Sequence, residues 1–308
     1  MKKQFFFSIC IAMLFLQSQA QLLSVTSTGV ELSTATIVVD QNDFDLVKKA
    51  ASLLQQDIEA VTGKKIPVVN VPGKSGSNNI IIGSLTQSAF VKKIAAQNKS
   101  LAGALEGKWE AYHLYTEANN LVIAGSDRRG TAYGVLELSK QIGVSPWYWW
   151  ADVPIKKRPL LYINTKAVLS DAPKVKYRGI FINDEAPALS NWSKATFGGF
   201  NHQFYAKVFE LQLRLRSNYI WPAMWGNAFY DDDSLNIKTA DDYGIIIGTS
   251  HHEPLMRAHE EWKRYGRNQK WNYDSTETGL KEFWRSGMER AWNEKIVTVG
   301  CVGMEMNR

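Results

Sequence analysis

Hydrophobic and polar positions in the first half of the chain alternate between strand-like and helix-like segments. The run "ATIVVD" at 35–40 is rich in β-branched residues and predicts a strand. From Asp45 to Val61 apolar residues recur every three or four positions, which predicts a helix that Gly63 ends. "NNIIIG" at 78–83 predicts a second buried strand.

The next stretch predicts a hairpin followed by a helix. Two alternating apolar runs in "WEAYHLYTEANNLVIAG" flank Asn119-Asn120, which is typical of a hairpin turn. A helix then begins at an N-cap, Ser126 or Asp127, and ends at Gly143. Residues 21–152 are therefore expected to form a mixed α/β domain that closes its own core and survives limited proteolysis while the remainder is degraded.

The second half of the chain has a different pattern of apolar residues. Residues 153–176 are rich in Pro and Lys without sustained periodicity, which predicts a linker. Four apolar runs, "YRGIFI", "NYIWPAMW", "GIIIGTS" and "KIVTVG", then alternate with helical stretches such as 202–216. Since buried strands separated by helices are typical of a parallel sheet, residues 177–308 predict strands 1–4 of a (β/α)8 barrel. The predicted fold class is α/β, an N-terminal mixed α/β domain followed by the first half of such a barrel.

The N-terminus predicts export. Residues 1–20, "MKKQFFFSICIAMLFLQSQA", have two lysines, a short apolar run and small residues before the expected cleavage after Ala20, as in a secretory signal peptide. The expected location is periplasmic or extracellular, with no membrane-spanning helix. Cysteine occurs only at Cys10 and Cys301, which argues against a disulfide scaffold and thiol chemistry.

Composition narrows the possible partners. The net charge of +6 is spread without a basic block, so we expect no nucleic-acid partner. The 11 Trp residues favour sugar handling in an exported protein, although packing in the core is the commoner role of a single Trp. "GSDRRG" at 125–130 lacks the spacing of a phosphate loop and is interpreted as a helix start. No cofactor is expected, and the oligomeric state is not predicted.

Candidate site residues follow the first three predicted barrel strands, whose ends build the active site in such barrels. They are Asn183 and Asp184 after the first strand, Trp225 after the second, and His251 and His252 after the third. Amide, carboxylate, indole and imidazole groups together are typical of carbohydrate recognition. Alternatives remain: Asp184 and Glu185 as helix caps, Trp221 away from the pocket, and only one functional histidine. A zinc site lacks a third ligand at suitable spacing, so no metal is expected.

Several motifs carry a family resemblance. "RGIFINDEAPAL", "NYIWPAMW", "GTSHHEPL" and "SDRRGTAYGVLELSKQIGVSPWYWWADVP" resemble glycoside hydrolase family 115, the exported xylan α-glucuronidases. The resemblance implies an inverting hydrolase that releases α-1,2-linked glucuronic acid, or its 4-O-methyl ether, from glucuronoxylan. It also implies that Asn183, Asp184, Trp225, His251 and His252 line the uronic-acid pocket.

The tail "GCVGMEMNR", residues 300–308, departs from the family's pattern. Loss of one base from codons for that pattern reproduces Cys301 to Arg308, which predicts a frameshift that truncates the enzyme at its fourth barrel strand. Because the family's catalytic acids come from that strand onward, no catalytic residue is expected in this chain, which is predicted to be inactive. The alternatives are a non-catalytic carbohydrate-binding or structural fragment and, less favoured, a β-hexosaminidase-like hydrolase, whose Asp-Glu pair is not expected on the first strand.

Overall fold

The computed structural model describes residues 22–24, 26–71, 78–250, 252–266 and 269–292, with side chains up to residue 290. Its helices are α1 Asp45–Thr62, α2 Ala89–Gln97, α3 Lys99–Leu105, α4 Arg128–Gln141, α5 Ala188–Phe197, α6 His202–Arg214, α7 Phe229–Asp232, α8 Leu235–Asp242, α9 His259–Tyr265 and α10 Tyr273–Trp292. Its strands are β1 Val30–Glu31, β2 Thr36–Val39, β3 Val68–Val69, β4 Asn79–Ser84, β5 Tyr112–Glu117, β6 Asn120–Gly125, β7 Tyr162–Ile163, β8 Val168–Asp171, β9 Gly179–Phe181, β10 Tyr219–Trp221 and β11 Ile246–Ile247.

The N-terminal region is built on a six-stranded sheet of order β3-β2-β4-β6-β5-β8. Strands β3, β2, β4 and β6 are parallel, and β5 runs antiparallel to both of its neighbours. Successive residues of β6 face opposite sides, because side chains alternate along a strand. Leu121 and Ile123 join the core under α1 and α4, whereas Val122 and Ala124 join the core under α2 and α3.

Local sequence accounts for the ends of the covering helices. Helix α1 ends at Gly63, whose φ of 76° is left-handed and favours glycine. Helix α4 begins at Asp127, whose carboxylate accepts a hydrogen bond of 2.8 Å from the Gly130 amide. The two helices and the hairpin are therefore confirmed, but the β5–β6 turn lies one residue earlier than predicted, at Ala118 and Asn119, because Asn120 already pairs with Glu117.

The segment predicted as a linker contains two strands. Strand β7 pairs antiparallel with β1, and β8 pairs with β5 at the edge of the six-stranded sheet. The linker prediction failed here because strands of two and four residues are too short to show periodicity. The N-terminal sheets therefore include residues beyond 152.

The second region contains a parallel three-stranded sheet of order β11-β10-β9. Helices α5 and α6 separate β9 from β10, and α7 and α8 separate β10 from β11. Sequential parallel strands connected by helices agree with the predicted first part of a (β/α)8 barrel. The predicted fourth strand "KIVTVG", the signal peptide and the tail at 300–308 all lie outside the described residues.

Buried charged side chains join the two regions. Glu110, which is 2% exposed, accepts hydrogen bonds from Arg129, from Arg178 just before β9 and from Asn218 just before β10. Arg214 of α6 forms a bidentate pair of 2.9 and 3.1 Å with Asp57 of α1. These pairs fix the barrel strands against the N-terminal sheet. Within the described ranges, no helix has the length and apolar character needed to cross a membrane.

Candidate functional site

The three parallel strands β9, β10 and β11 bring the segments that follow them to one edge of the sheet. Residues 182–187 follow β9, residues 222–228 follow β10, and residues 248–256 follow β11. The carboxyl ends of barrel strands are where this fold builds its sites. Asn183, Asp184, Trp225 and His252 therefore lie at the same edge, whereas His251 lies outside the described residues.

Asp184 is fully buried at this edge, with 0% of its surface exposed. Its Oδ1 accepts a hydrogen bond of 3.1 Å from the Met224 amide, and its Oδ2 accepts from the Trp225 amide at 2.9 Å and from Asn227 Nδ2 at 2.7 Å. The carboxylate thus binds the segment after β10. The alternative that Asp184 caps the next helix is wrong, because its oxygens bond the segment after β10 and the N-cap of α5 is Pro187, with no side-chain cap.

Trp225 is the large aromatic residue exposed in the segment after β10, with 48% of its surface accessible. Gly226 has a φ of 73°, which lets the chain turn directly after it. Asn227 Nδ2 also donates to the Trp225 carbonyl at 2.9 Å. An indole held by its backbone and open to solvent is a suitable platform for the apolar face of a sugar.

Asn183 and Glu185 are exposed on either side of the buried Asp184. An exposed amide supplies both a donor and an acceptor, as sugar hydroxyls require. Since α5 begins without a side-chain cap, the alternative that Glu185 caps it is also wrong.

Trp221 is the last residue of β10, and its side chain contacts residues of the barrel strands. Its indole nitrogen donates a hydrogen bond of 2.9 Å to the Tyr219 hydroxyl, and its ring packs edge-on against Phe181. Gly248 of the neighbouring segment makes room for this pair, because a Cβ there would lie 2.0 Å from the Tyr219 hydroxyl oxygen. The role of Trp221 in the pocket stays a prediction.

Glu253 is a buried carboxyl that sequence reasoning did not single out. It is 2% exposed, and its Oε1 accepts a hydrogen bond of 3.1 Å from the His259 amide at the start of α9. Burial raises the pKa of Glu253 to about 8, and the charges of Glu261 and Asp184 act in the same direction. The proton is therefore retained at neutral pH. The sequence signal that could have identified Glu253 is its position in "SHHEPL", shortly after a buried strand.

Of the two adjacent histidines of the sequence, His252 lies within the described residues and His251 does not. His252 is half-buried, five residues after the end of β11. Its charge is one of the smaller influences that, after burial, lower the pKa of His259. Among the described residues, no group of three His, Cys, Asp or Glu is placed to hold a metal ion.

The family comparisons agree with this architecture. Residues 170–306, which include all three strand ends, match the sequence model of Glycosyl hydrolase family 115. The structure is similar to that of BtGH115A, described as a novel family GH115 4-O-methyl-α-glucuronidase with specificity for decorated arabinogalactans. The identity is 32% and the TM-score 0.78, over 89% of this chain and 37% of that one. This chain thus spans little more than a third of that relative.

Weaker likenesses add no argument about function. CpGH84D is 14% identical with a TM-score of 0.48, over 86% of this chain and 40% of that one. A Flavobacterium johnsoniae chitobiase, FjGH20, is 12% identical with a TM-score of 0.45, over 80% of this chain and 36% of that one. The comparison with curated proteins gives no match. This chain is thus similar to glycosyl hydrolase family 115 in the sequence of its barrel segment and to BtGH115A in its fold.

Proposed function

We propose that this chain is a truncated, inactive form of an exported glycoside hydrolase whose complete form removes α-1,2-linked glucuronic acid, or its 4-O-methyl ether, from glucuronoxylan. The observation that carries the proposal is that the segment matching family 115 contains all three strand ends of the candidate site. The name of BtGH115A, a 4-O-methyl-α-glucuronidase, supports the uronic acid as the group released.

The exposed groups at the strand ends give each part of a uronic acid a partner. The Trp225 indole stacks on the sugar ring, and the Asn183 amide bonds its hydroxyls. Imidazole from His252, or from His251 beside it in the sequence, donates to the sugar carboxylate.

The proposed mechanism is inversion. One carboxyl protonates the leaving oxygen and a second activates water, with the two set about 6.5–9.5 Å apart. Asp184 has both oxygens occupied by protein donors, and Glu253 is 2% exposed. We therefore assign the catalytic pair to later strands of the complete barrel, as the family resemblance implies.

The polysaccharide backbone is the part of the proposal that most needs a direct test. BtGH115A is described as specific for decorated arabinogalactans, whereas the resemblance of this sequence is to xylan α-glucuronidases. Both glycans present an acidic side sugar, so binding to glucuronoxylan, to uronic-acid-decorated arabinogalactan and to unsubstituted xylan is compared by affinity electrophoresis. Retardation by glucuronoxylan alone is the expected result, and retardation by unsubstituted xylan to the same degree contradicts recognition of the uronic acid.

Activity is tested separately from binding. The chain as it stands and a version with one base restored near codon 300 are incubated with glucuronoxylan, and released uronic acid is measured. We expect release only by the restored version. Binding without release by either protein supports instead the non-catalytic carbohydrate-binding alternative. The frameshift itself concerns residues outside the described ranges and stays a prediction, which resequencing of the gene around codon 300 tests.

A further inference from the structure

The Trp225 loop, residues 222–228, has buried apolar residues at both ends and a set of polar contacts around Trp225. Three of its groups, the amides of Met224 and Trp225 and the Asn227 side chain, point at the Asp184 carboxylate. Backbone amides that converge on a carboxylate hold both partners in place, because each bond to a charged acceptor is stronger than a neutral one. The conformation of the loop around Trp225 is therefore set by Asp184.

Two further anchors hold the ends of the same loop. The Ala223 amide donates to the Tyr205 hydroxyl of α6 at 3.2 Å, and the Ala228 amide donates to Asp232 Oδ2 at 2.7 Å. Asp184 lies between these anchors and holds the middle of the loop. With 0% exposure it is closed to a ligand in this structure, whereas Trp225 is 48% exposed.

We propose that Asp184 is a positioning residue that presents the Trp225 indole to the sugar and does not itself contact the sugar. The positioning of Trp225 stands on the hydrogen bonds alone, whereas its consequence for glycan binding rests on the proposed function. The two parts therefore need separate measurements.

The first measurement concerns the indole and needs no glycan. Acrylamide quenching of tryptophan fluorescence is measured for the wild-type, Asp184→Asn and Asn227→Ala proteins. Each measurement is repeated with Trp225→Phe added, and the difference between the two gives the signal of Trp225. An amide in place of the carboxylate turns an N–H group toward the loop amides, so the loop loosens. We expect the quenching constant of Trp225 to rise by roughly twofold in Asp184→Asn, and by less in Asn227→Ala, as local opening exposes the ring.

A matched control separates loosening of the loop from general loss of stability. Asp43 is another buried carboxylate, and it accepts bonds of 2.8 and 2.7 Å from the amide and hydroxyl of Ser84 in the N-terminal sheet. Asp43→Asn is expected to destabilise the fold without changing the Trp225 quenching constant. If Asp184→Asn fails to fold, Asn227→Ala carries the test, because Asn227 lies at the surface end of the same contacts. An unchanged Trp225 signal in the folded loop variants overturns the proposal.

The second measurement asks whether Asp184 acts on the glycan through Trp225. Glucuronoxylan affinity is compared for Trp225→Ala, Asp184→Asn and the double variant. Loss of an aromatic platform weakens binding by up to about tenfold. If Asp184 acts only through the indole, Asp184→Asn weakens binding in the wild-type background but adds no loss to Trp225→Ala. Additive losses indicate direct contact with the sugar and overturn the proposal. If the wild-type chain does not bind glucuronoxylan, the proposed function fails, and the quenching measurement still decides the positioning role.

Discussion

The six-stranded N-terminal sheet and the three-stranded barrel sheet are held in place in different ways. The first is covered by helices on both faces, and its central strands of six residues are almost wholly buried. The second has strands of two or three residues, and all three residues of β9 are exposed. Burial of apolar area stabilises the first sheet along whole strands, whereas in the second it is limited to single positions such as Ile220 and Ile247.

The segments before the barrel strands make polar contacts with the N-terminal region. The Asn218 carboxamide, directly before β10, donates to Glu110 at 2.8 Å and accepts from the Arg178 amide at 2.9 Å. Buried apolar residues of both regions also belong to one continuous core. The barrel strands are thus positioned by polar groups of the N-terminal region, and the two regions are expected to lose structure together.

The largest expected effect tests whether the N-terminal region is independent. A fragment of residues 22–152 lacks β7 and β8, and with them the partner of β1 and the edge strand beside β5. We expect this fragment to unfold without a cooperative urea transition, whereas a fragment of residues 22–176 regains one. Equal cooperativity of both fragments, measured by circular dichroism, supports the original expectation that residues 21–152 suffice.

The next effect concerns the charged junction. Arg214 and Asp57 have side-chain exposures of only 3% and 5%, so Arg214→Ala leaves a buried carboxylate unpaired. We expect a loss of about 3–5 kcal/mol in the free energy of unfolding. Lys238→Ala, which breaks the exposed pair with Asp242, is the control and should change the free energy of unfolding little, because water and salt screen an exposed pair. If both variants lose equally little free energy of unfolding, apolar contacts stabilise the junction and the charged pair does not.

Glu253 gives the barrel region a pH effect of its own. Burial raises the pKa of Glu253 to about 8, so the folded state retains a proton that the unfolded state releases above about pH 4.5. Stability should therefore fall as pH rises from about 5 to 8, by at most about 1.4 kcal/mol per pH unit. Glu253→Gln removes this slope, whereas substitution of the exposed Glu282 by Gln leaves it. Urea unfolding at several pH values measures the slope, and an unchanged slope in Glu253→Gln contradicts the assignment.

The smallest expected effect concerns two glycines, one in each sheet, at which a Cβ atom would clash with neighbouring backbone atoms. A Cβ at Gly125 of β6 would lie 2.0 Å from the Thr131 backbone nitrogen, and one at Gly179 of β9 would lie 2.3 Å from the Tyr219 carbonyl oxygen. Overpacking costs about 1–3 kcal/mol. We expect Gly125→Ala near the upper value and Gly179→Ala near the lower, because the exposed edge strand β9 moves more easily.

Gly103 supplies the control for this comparison. It lies inside helix α3, and a Cβ there would meet no atom within 4 Å. Gly103→Ala should therefore stabilise the protein by about 0.5–1 kcal/mol. Thermal melting of the three variants ranks them, and a larger loss at Gly179 than at Gly125 reverses the inferred difference between the sheets.

The sequence by itself determined the elements whose physical signal is local. Apolar spacing over 18 residues together with Gly63 defined helix α1, and alternation on both sides of a short turn defined the β5–β6 hairpin. The order of strands and helices after residue 176 also predicted the barrel fold. Asn183 and Trp225 follow parallel strands, whose ends must meet at one edge, so their place in the fold follows from the sequence, while their role in a site stays a prediction.

Tertiary structure alone decided the roles that depend on distant partners. Strands β7 and β8 form because β1 and β5 offer unpaired backbone groups, which a segment of two to four residues cannot reveal. Asp184 looks like a surface ligand or a cap in the sequence, yet its partners lie 40 and more positions later. Burial likewise sets the protonation of Glu253. Hydrogen bonding and desolvation depend on which atoms surround a group in three dimensions, and the order of residues does not give those neighbours.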